Sequence, residues 1–459
     1  MTRVVVVGGG IAGLAAARHL ESLLPDAEIT LVERSEQLGG KLLTEQVDGF
    51  VVEGAADSFL SRKPRGVGLC EELGLEGRLV GRRPEHARSF IRHGAELYRL
   101  PEGLTGMIPT DLDALAGSNL LSAPGRARLE AERELPPAPP GGDESIASFV
   151  SRRLGPEAYE RLVEPLMTGI YGGDGDQLSL EATFPDLRAL ELEHGSLLAG
   201  LEAQHQARSR YPVFVSLPGG VGELVRALVA ALERTTFAIA AATSVSERSG
   251  GYLVELGASR RQEADAVVLA VPAFATAELV SDFDPALADA HAEIPYASSA
   301  IVTLGYATED VPHPLDGFGY VVPKTEGSDV LACTWSSSKW EGRAPAGREL
   351  LRVYLGRFGG RDVTALSDGE LVTLAREELR VLDFDAEPAL VRVHRWPHGM
   401  PQYTLGHRER LKRIDAELEP HPGLALAGAA YRGVGIPDCI HSGEVAARAV
   451  AHALEPVSR

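Results

Sequence analysis

The sequence predicts an α/β protein: a discontinuous Rossmann-like nucleotide domain, an α+β second domain and a helical insertion. Three observations predict it. A G-x-G-x-x-G turn joins a short apolar strand to a helix at the start of the chain. A second strand, glycine-rich turn and helix close it. Between them the text turns helix-favouring, then strand-rich, with proline-rich punctuation.

The first strand is RVVVV, Arg3 to Val7, a β-branched run of the kind buried on both faces of a parallel sheet. It feeds Gly8, Gly9, Gly10, Ile11, Ala12 and Gly13, then LAAARHLESLL. Gly8 permits the tight turn, Gly10 lets backbone approach a pyrophosphate, and Gly13 lets helix and strand touch. The helix N-terminus adds amide donors and a positive dipole end. EITLVE ends in Glu33, twenty residues beyond Gly13, where a carboxylate can take ribose hydroxyls. The pair Gly39-Gly40 and the cation Lys41 then offer a second approach to the same pyrophosphate. No second G-x-G-x-x-G occurs. A single nucleotide site suits one bound flavin, reduced by its substrate and reoxidised by a small acceptor such as oxygen.

The remaining segments divide the chain into pieces. Residues 1–80 form the N-terminal part of the nucleotide domain, 206–285 its central part and 406–459 its C-terminal part. Residues 81–205 form a mainly helical insertion carrying a pocket segment, interrupted by ELPPAPPGGDES at 134–145. Residues 286–405 form a mostly antiparallel sheet region. ADAVVLAVP, with its apolar stretch to Val271, supplies a further central strand. Near the end, Gly428 closes the strand LALA, Arg432 to Asp438 reads as a loop, and Ser442 as the N-cap of SGEVAARAVAHAL. That glycine-lined helix start is a natural seat for one end of a flavin. GIYGGDGDQLSLEATFP, from Gly169, reads as a glycine-rich loop before a strand-like run, with acidic residues that argue against phosphate.

Composition narrows the function. At 459 residues with 44% hydrophobic and 24% charged residues, the chain has the profile of a multi-domain globular protein. A net charge of −20 opposes non-specific binding to nucleic acid or anionic membranes. Cys70, Cys333 and Cys439 are too scattered for a disulfide framework and read as buried hydrophobes in a reducing compartment. His394 and His398 have metal-like spacing, but Pro397 breaks the helix that would align them, so no metal site is expected. No apolar run is long enough to span a bilayer, so at most peripheral membrane contact is expected.

The whole chain resembles the flavin-dependent porphyrinogen oxidases, within the wider monoamine oxidase and phytoene desaturase group. The resemblance is carried by GGGIAGLAAA, LVERSEQLGGK, ADSFLSRK, DESIASFVSRRLG, LVEPLMTGIYGGDGDQLSLEATFP, CTWSSSKW, MPQYTLGH and GVGIPDCI. CTWSSSKW and ADSFLSRK point to the soluble bacterial branch that oxidises coproporphyrinogen III. Two departures stand near the expected flavin: Ala55-Ala56 in place of Gly-Pro, and Gly399 in place of alanine.

The resemblance implies FAD, a porphyrinogen substrate, molecular oxygen and a cytoplasmic location, with a ferrochelatase as a candidate receiver of the product. It adds Arg34, Ala55, Ala56, Asp57, Ser58, Val245, Trp396, Val434, Gly435, Ile436 and Pro437 to the cofactor contacts. It makes Lys63, with Arg62 beside it, the first choice for substrate propionates, and places Gly169, Ile170 and Tyr171 in the substrate pocket. His194 lies near that pocket, with a structural role more in keeping than a catalytic one. A porphyrinogen loses six electrons and six protons to become a porphyrin, in three steps that each fit one flavin cycle. The chemistry is then flavin-centred, and no side chain is assigned as catalytic. Protoporphyrinogen IX is the alternative substrate. An amine oxidase, a carotenoid desaturase or a non-catalytic flavin protein stands further off.

Overall fold

The structure, a computed structural model, describes residues 1–139, 141–204 and 210–455. Five parallel strands form the nucleotide sheet, in the spatial order Thr235–Ile239, Glu28–Glu33, Arg3–Val7, Ala266–Leu269, Leu424–Leu426. Three stretches far apart in sequence therefore build one sheet. The strand Arg3–Val7 lies at its centre, and its alternating side chains go to two different cores. Val4 and Val6 pack under the first helix, Ile11–Leu23, and the last, Ile436–Ala453. Val5 and Val7 pack on the other face, against the meander Ala242–Arg248, Gly251–Leu256, Arg260–Ala264 and the helices Pro285–Ala292 and His407–Leu418. Burial of both faces explains why the strand is uniformly β-branched.

The first and last helices touch backbone to backbone. A Cβ on Gly443 would stand 2.1 Å from the Ala12 carbonyl oxygen. This last helix begins at Ile436, six residues before the expected Ser442 cap. Gly435 is its extended N-cap, and Pro437 fits the first turn, where no amide donor is needed. The Ser442 hydroxyl lies inside the helix and accepts the Gly428 N–H at 3.0 Å.

The second large sheet has seven strands, in the order Leu390–Pro401, Tyr296–Ala307, Arg348–Leu355, Val330–Trp335, Gly319–Val321, Phe90–His93, Glu96–Arg99. Its last two strands are a hairpin turning at Gly94 (φ +58°), joined parallel to Gly319–Val321. The stretch 81–205 thus contributes strands to this sheet before its α-helices begin at Leu112. Phe214–Ser216 pairs with Phe59–Leu60 and Val80–Gly81 in a small sheet that links the domains.

In the helical insertion, the proline-rich segment is tied down. Arg153 donates to the carbonyls of Leu135 and Pro136, Arg188 to Pro139, and the Glu191 carboxylate takes the Ala138 N–H. The run expected to be strand-like after GIYGGDGD is the short helix Leu180–Thr183, capped by the Ser179 hydroxyl, which accepts the Ala182 N–H. The three cysteines are buried and unpaired.

Candidate active site

The glycine turn divides its work. Gly8 sits at φ +110° with no space for a Cβ, which would meet the Ala270 carbonyl oxygen at 2.5 Å. A Cβ on Gly13 would lie 1.9 Å from the Gly8 oxygen. Gly10, the N-cap, is the reverse: φ is −71°, and a Cβ there meets nothing within 4 Å. Its open side faces no protein atom. The Glu33 carboxylate accepts the N–H groups of Gly9 at 2.8 Å and Ser35 at 3.0 Å, fixing it at the rim with Arg34 exposed beside it.

The second glycine pair closes on the first. Gly39 N–H donates to the Gly9 carbonyl at 2.8 Å, and a Cβ on Gly40 would lie 3.2 Å from the Gly10 Cα. Lys41 follows, open to solvent but standing in a recess. Desolvation there lowers its pKa, against the pull of nearby Cys439 on the last helix. An open glycine, a recessed cation and the helix that starts at Ile11 and Ala12 fit the diphosphate of a dinucleotide. Val245 is buried on the edge strand of the meander, in one core with Val32 beside Glu33.

The loop Gly54–Ser58 leaves the hairpin Thr44–Val47/Phe50–Glu53 and is gripped from the seven-stranded sheet. Trp396 Nε1 donates to the Gly54 carbonyl at 2.8 Å, and the Arg352 guanidinium donates to that of Ala55. Ala56 is exposed. The Asp57 carboxylate is enclosed. It accepts from Lys339 Nζ at 2.8 and 3.0 Å, Trp340 Nε1 at 3.2 Å and Ser58 Oγ at 2.7 Å. Burial works against its charge, but Lys339 and Arg352 outweigh it and hold its pKa well below the carboxylate range. Burial lowers the pKa of Lys339, opposed by Asp57.

Two more cations stand near. Arg343 is 3.3 Å from Glu53, whose pKa burial raises, and Arg82 lies between the rings of Phe214 and Phe318 at 4.7 and 4.6 Å. Four cations thus surround two carboxylates, leaving an enclosed positive excess. Of this cluster, sequence reasoning singled out only Asp57 and Ser58. Arg352 carried a signal, a charge at an inward position of the apolar strand RELLRVYL.

The segment expected to line the substrate pocket is the helix Glu164–Tyr171, and GIY is its last turn. Gly172 ends it at φ +58°, as a left-handed C-cap. The glycines that follow are close-packed against the protein itself. A Cβ on Gly173 would strike Gln402 Oε1 at 2.6 Å, and one on Gly175 the Tyr159 hydroxyl at 2.2 Å. Gly169 and Ile170 present an exposed surface, whereas Tyr171 turns inward, edge-on to Phe184 at 5.7 Å.

Lys63 precedes the helix Pro64–Glu72 and binds both carboxylate oxygens of Asp438 at 2.8 and 2.6 Å, with Arg62 exposed beside it. Asp438 also accepts the Gly435 N–H, so Lys63 stands at the start of the last helix, beside Ile436 and Pro437. Val434 packs toward the helical insertion. His194 ends the helix Pro185–His194 and packs over Gly200. His394 bonds Glu45 at 2.8 Å, and His398 lies against Phe274. Among the described residues no three potential metal ligands cluster.

A nucleotide recess on a parallel sheet, with a pocket helix against a mostly antiparallel one, defines a flavoprotein oxidoreductase architecture. A family model for flavin-containing amine oxidoreductases matches residues 11–451, and the chain belongs to that family. Within it, the chain is 35% identical to the coproporphyrinogen III oxidase of Bacillus subtilis, over 96% of each chain. It is 32% identical to that of Staphylococcus aureus, over 97% of this chain and 98% of the relative. The crystal structure of a candidate protoporphyrinogen oxidase from Exiguobacterium superposes with a TM-score of 0.88 at 33% identity, over 98% of this chain and 99% of the other.

Proposed function

We propose that this protein is an FAD-dependent oxidase that converts coproporphyrinogen III to coproporphyrin III in heme biosynthesis. The observation that carries the reading is the end-to-end likeness to proteins named coproporphyrinogen III oxidase, and the site geometry supports it. Bound FAD would accept two electrons from the macrocycle in each of three turnovers, passing them to oxygen with release of hydrogen peroxide. The chain's own part is to bind and orient. Gly10, Lys41 and the first helix N-terminus hold the diphosphate, with Glu33 at the ribose. Trp396 and Arg352 fix the backbone of Gly54 and Ala55 as one wall. Ile170 and Gly169 offer an apolar surface to the macrocycle. Lys63 and Arg62 draw its propionates, with Asp438 holding the Lys63 ammonium in place.

A cytoplasmic location and hand-off to a ferrochelatase complete the reading. Among the described residues no helix is long and apolar enough to cross a membrane.

The second reading, protoporphyrinogen IX oxidation, is favoured by the Exiguobacterium likeness. Side-by-side turnover of the two porphyrinogens in air, followed by porphyrin fluorescence and peroxide, separates them. A clear preference for coproporphyrinogen is expected; a preference for protoporphyrinogen moves the assignment to the second reading, and turnover of neither removes both. For Lys63→Ala we expect a KM for coproporphyrinogen about tenfold higher, or about 1.4 kcal/mol, at unchanged bound FAD. An unchanged KM returns Lys63 to a purely structural partner of Asp438.

A further inference from the structure

In the segment MPQYTLGH the side chains of Gln402, Tyr403 and His407 lie inside, whereas Leu405 is exposed. Gln402 and His407 are at most 1% exposed and Tyr403 is 2% exposed. Each is spent on a carbonyl or amide of a distant segment. Gln402 Nε2 donates to the Tyr171 carbonyl at 2.9 Å, the last residue of the pocket helix. The Tyr403 hydroxyl donates to the Ala429 carbonyl at 2.7 Å and accepts the Gly433 N–H at 2.8 Å. His407 stacks on Tyr403 at 4.0 Å, and its Nε2 meets the Tyr431 carbonyl at 2.9 Å, so that nitrogen carries the proton. The backbone adds to both sides: Ser179 N–H donates to the Tyr403 carbonyl, and Leu405 N–H to that of Gln177.

The segment therefore grips two loops at once. One is the end of the pocket helix with the turn that follows it, residues 171–179. The other is 429–433, which runs from the last parallel strand to the start of the final helix and reaches φ +143° at Gly433. A Cβ on Gly433 would meet Asp438 at 2.5 Å, so only glycine fits this turn. Adjacent residues of one buried strap hold the two.

We propose that Gln402 and Tyr403 are positioning residues that couple the porphyrin seat to the FAD seat, each ligand tightening the hold on the other. The inference rests on the reading given under Proposed function. A macrocycle seated on Ile170 orders the last turn of the pocket helix, and through Gln402 it orders the strap. Tyr403 then has less freedom to lose when the cofactor loop closes on FAD. Ordering shared by two sites gives positive cooperativity without a large rearrangement, and the coupling is reciprocal.

The test measures FAD release, not turnover. Holoenzyme is diluted with or without saturating coproporphyrin III, the product, and freed FAD is collected by ultrafiltration. In the wild type, coproporphyrin should slow release roughly fivefold. In Tyr403→Phe, which loses both hydroxyl bonds, and in Gln402→Met, which loses the bond to Tyr171, the ratio should fall to one. Gln402 bonds no atom of the cofactor loop, so Gln402→Met decides the matter if Tyr403→Phe fails to hold FAD at all. Coproporphyrin that binds wild type without slowing release overturns the inference alone. So does a fivefold ratio that survives in Gln402→Met. Coproporphyrin that does not bind the wild-type holoenzyme overturns the substrate reading and the inference with it.

Discussion

Replacing Gly10 with leucine yields a folded protein that carries almost no flavin. The backbone there is extended, at φ −71° and ψ 175°, and any residue can adopt it. An added Cβ meets no protein atom within 4 Å, so the fold is expected to survive the substitution. What the side chain occupies is the space on the open side of the turn, where a diphosphate needs bare backbone. We expect FAD affinity to fall about a hundredfold, or about 2.7 kcal/mol. The flavin band near roughly 450 nm, read on the purified variant, checks this. Circular dichroism and the thermal midpoint should match the wild-type apoprotein. Gly13→Leu supplies the contrast: its Cβ would fall 1.9 Å from the Gly8 oxygen, and that variant should not fold. A Gly10→Leu protein as yellow as the wild type would mean that the dinucleotide does not cross this turn.

Lys339→Met should unfold in markedly less urea than the wild type. The substitution keeps much of the side-chain volume and removes one charge from an enclosed pair, leaving Asp57 without its nearest cation. Breaking a buried pair from one side costs about 3–5 kcal/mol, because the remaining charge stays buried. Arg352 at 3.7 Å recovers part of that for Asp57, so the lower end is expected. Tryptophan fluorescence is a direct reporter: Trp340 donates to Asp57, and all three tryptophans lie within residues 335–396. Acid should expose the same pair. The Asp57 pKa is depressed in the folded state, so its contribution is complete above the unfolded value of about 3.9 and fades as pH falls below it. In Lys339→Met the gap between folded and unfolded pKa narrows, and the loss of stability on moving from about pH 5 to 3 should be smaller than in the wild type. A urea midpoint equal to that of the wild type would show that the pair carries no net stabilisation.

Much of the nucleotide domain was legible because its determinants are local. Residues 3–33 show their strand, turn and helix through β-branching, glycine spacing and helix-favouring text, and the boundaries follow. The last helix was legible in kind but not in extent. Pro437 reads as loop unless it is placed in a first turn, and Ser442 looks like a cap although its hydroxyl serves Gly428. The hairpin FIRHGAELYR turns at Gly94 but shows no apolar–polar alternation, and it sits in a stretch whose overall character is helical.

The ion cluster was legible only in fragments. Asp57 meets Lys339 across 282 positions of sequence, and no local pattern reports such a pair. The glycines of GIYGGD show the same difficulty. Their number was plain, but whether they make space for a ligand or, as at Gly173, for Gln402 depends on segments that arrive from elsewhere.

The contact between Gly443 and Ala12 bears on how the molecule comes into being. The helix Ile436–Ala453 is made long after Ile11–Leu23, the helix on which it must settle with scarcely an atom of clearance. The strand Leu424–Leu426 that completes the parallel sheet also emerges late. During synthesis the two inserted regions are free of the ribosome earlier, whereas Arg3–Val7 and Ile11–Leu23 wait for Leu424–Leu426 and the helix after it. Such distant closure makes folding slow and leaves apolar surface uncovered in the meantime. Removing Ile436–Ala453 would therefore uncover the packed face of Ile11–Leu23 as well.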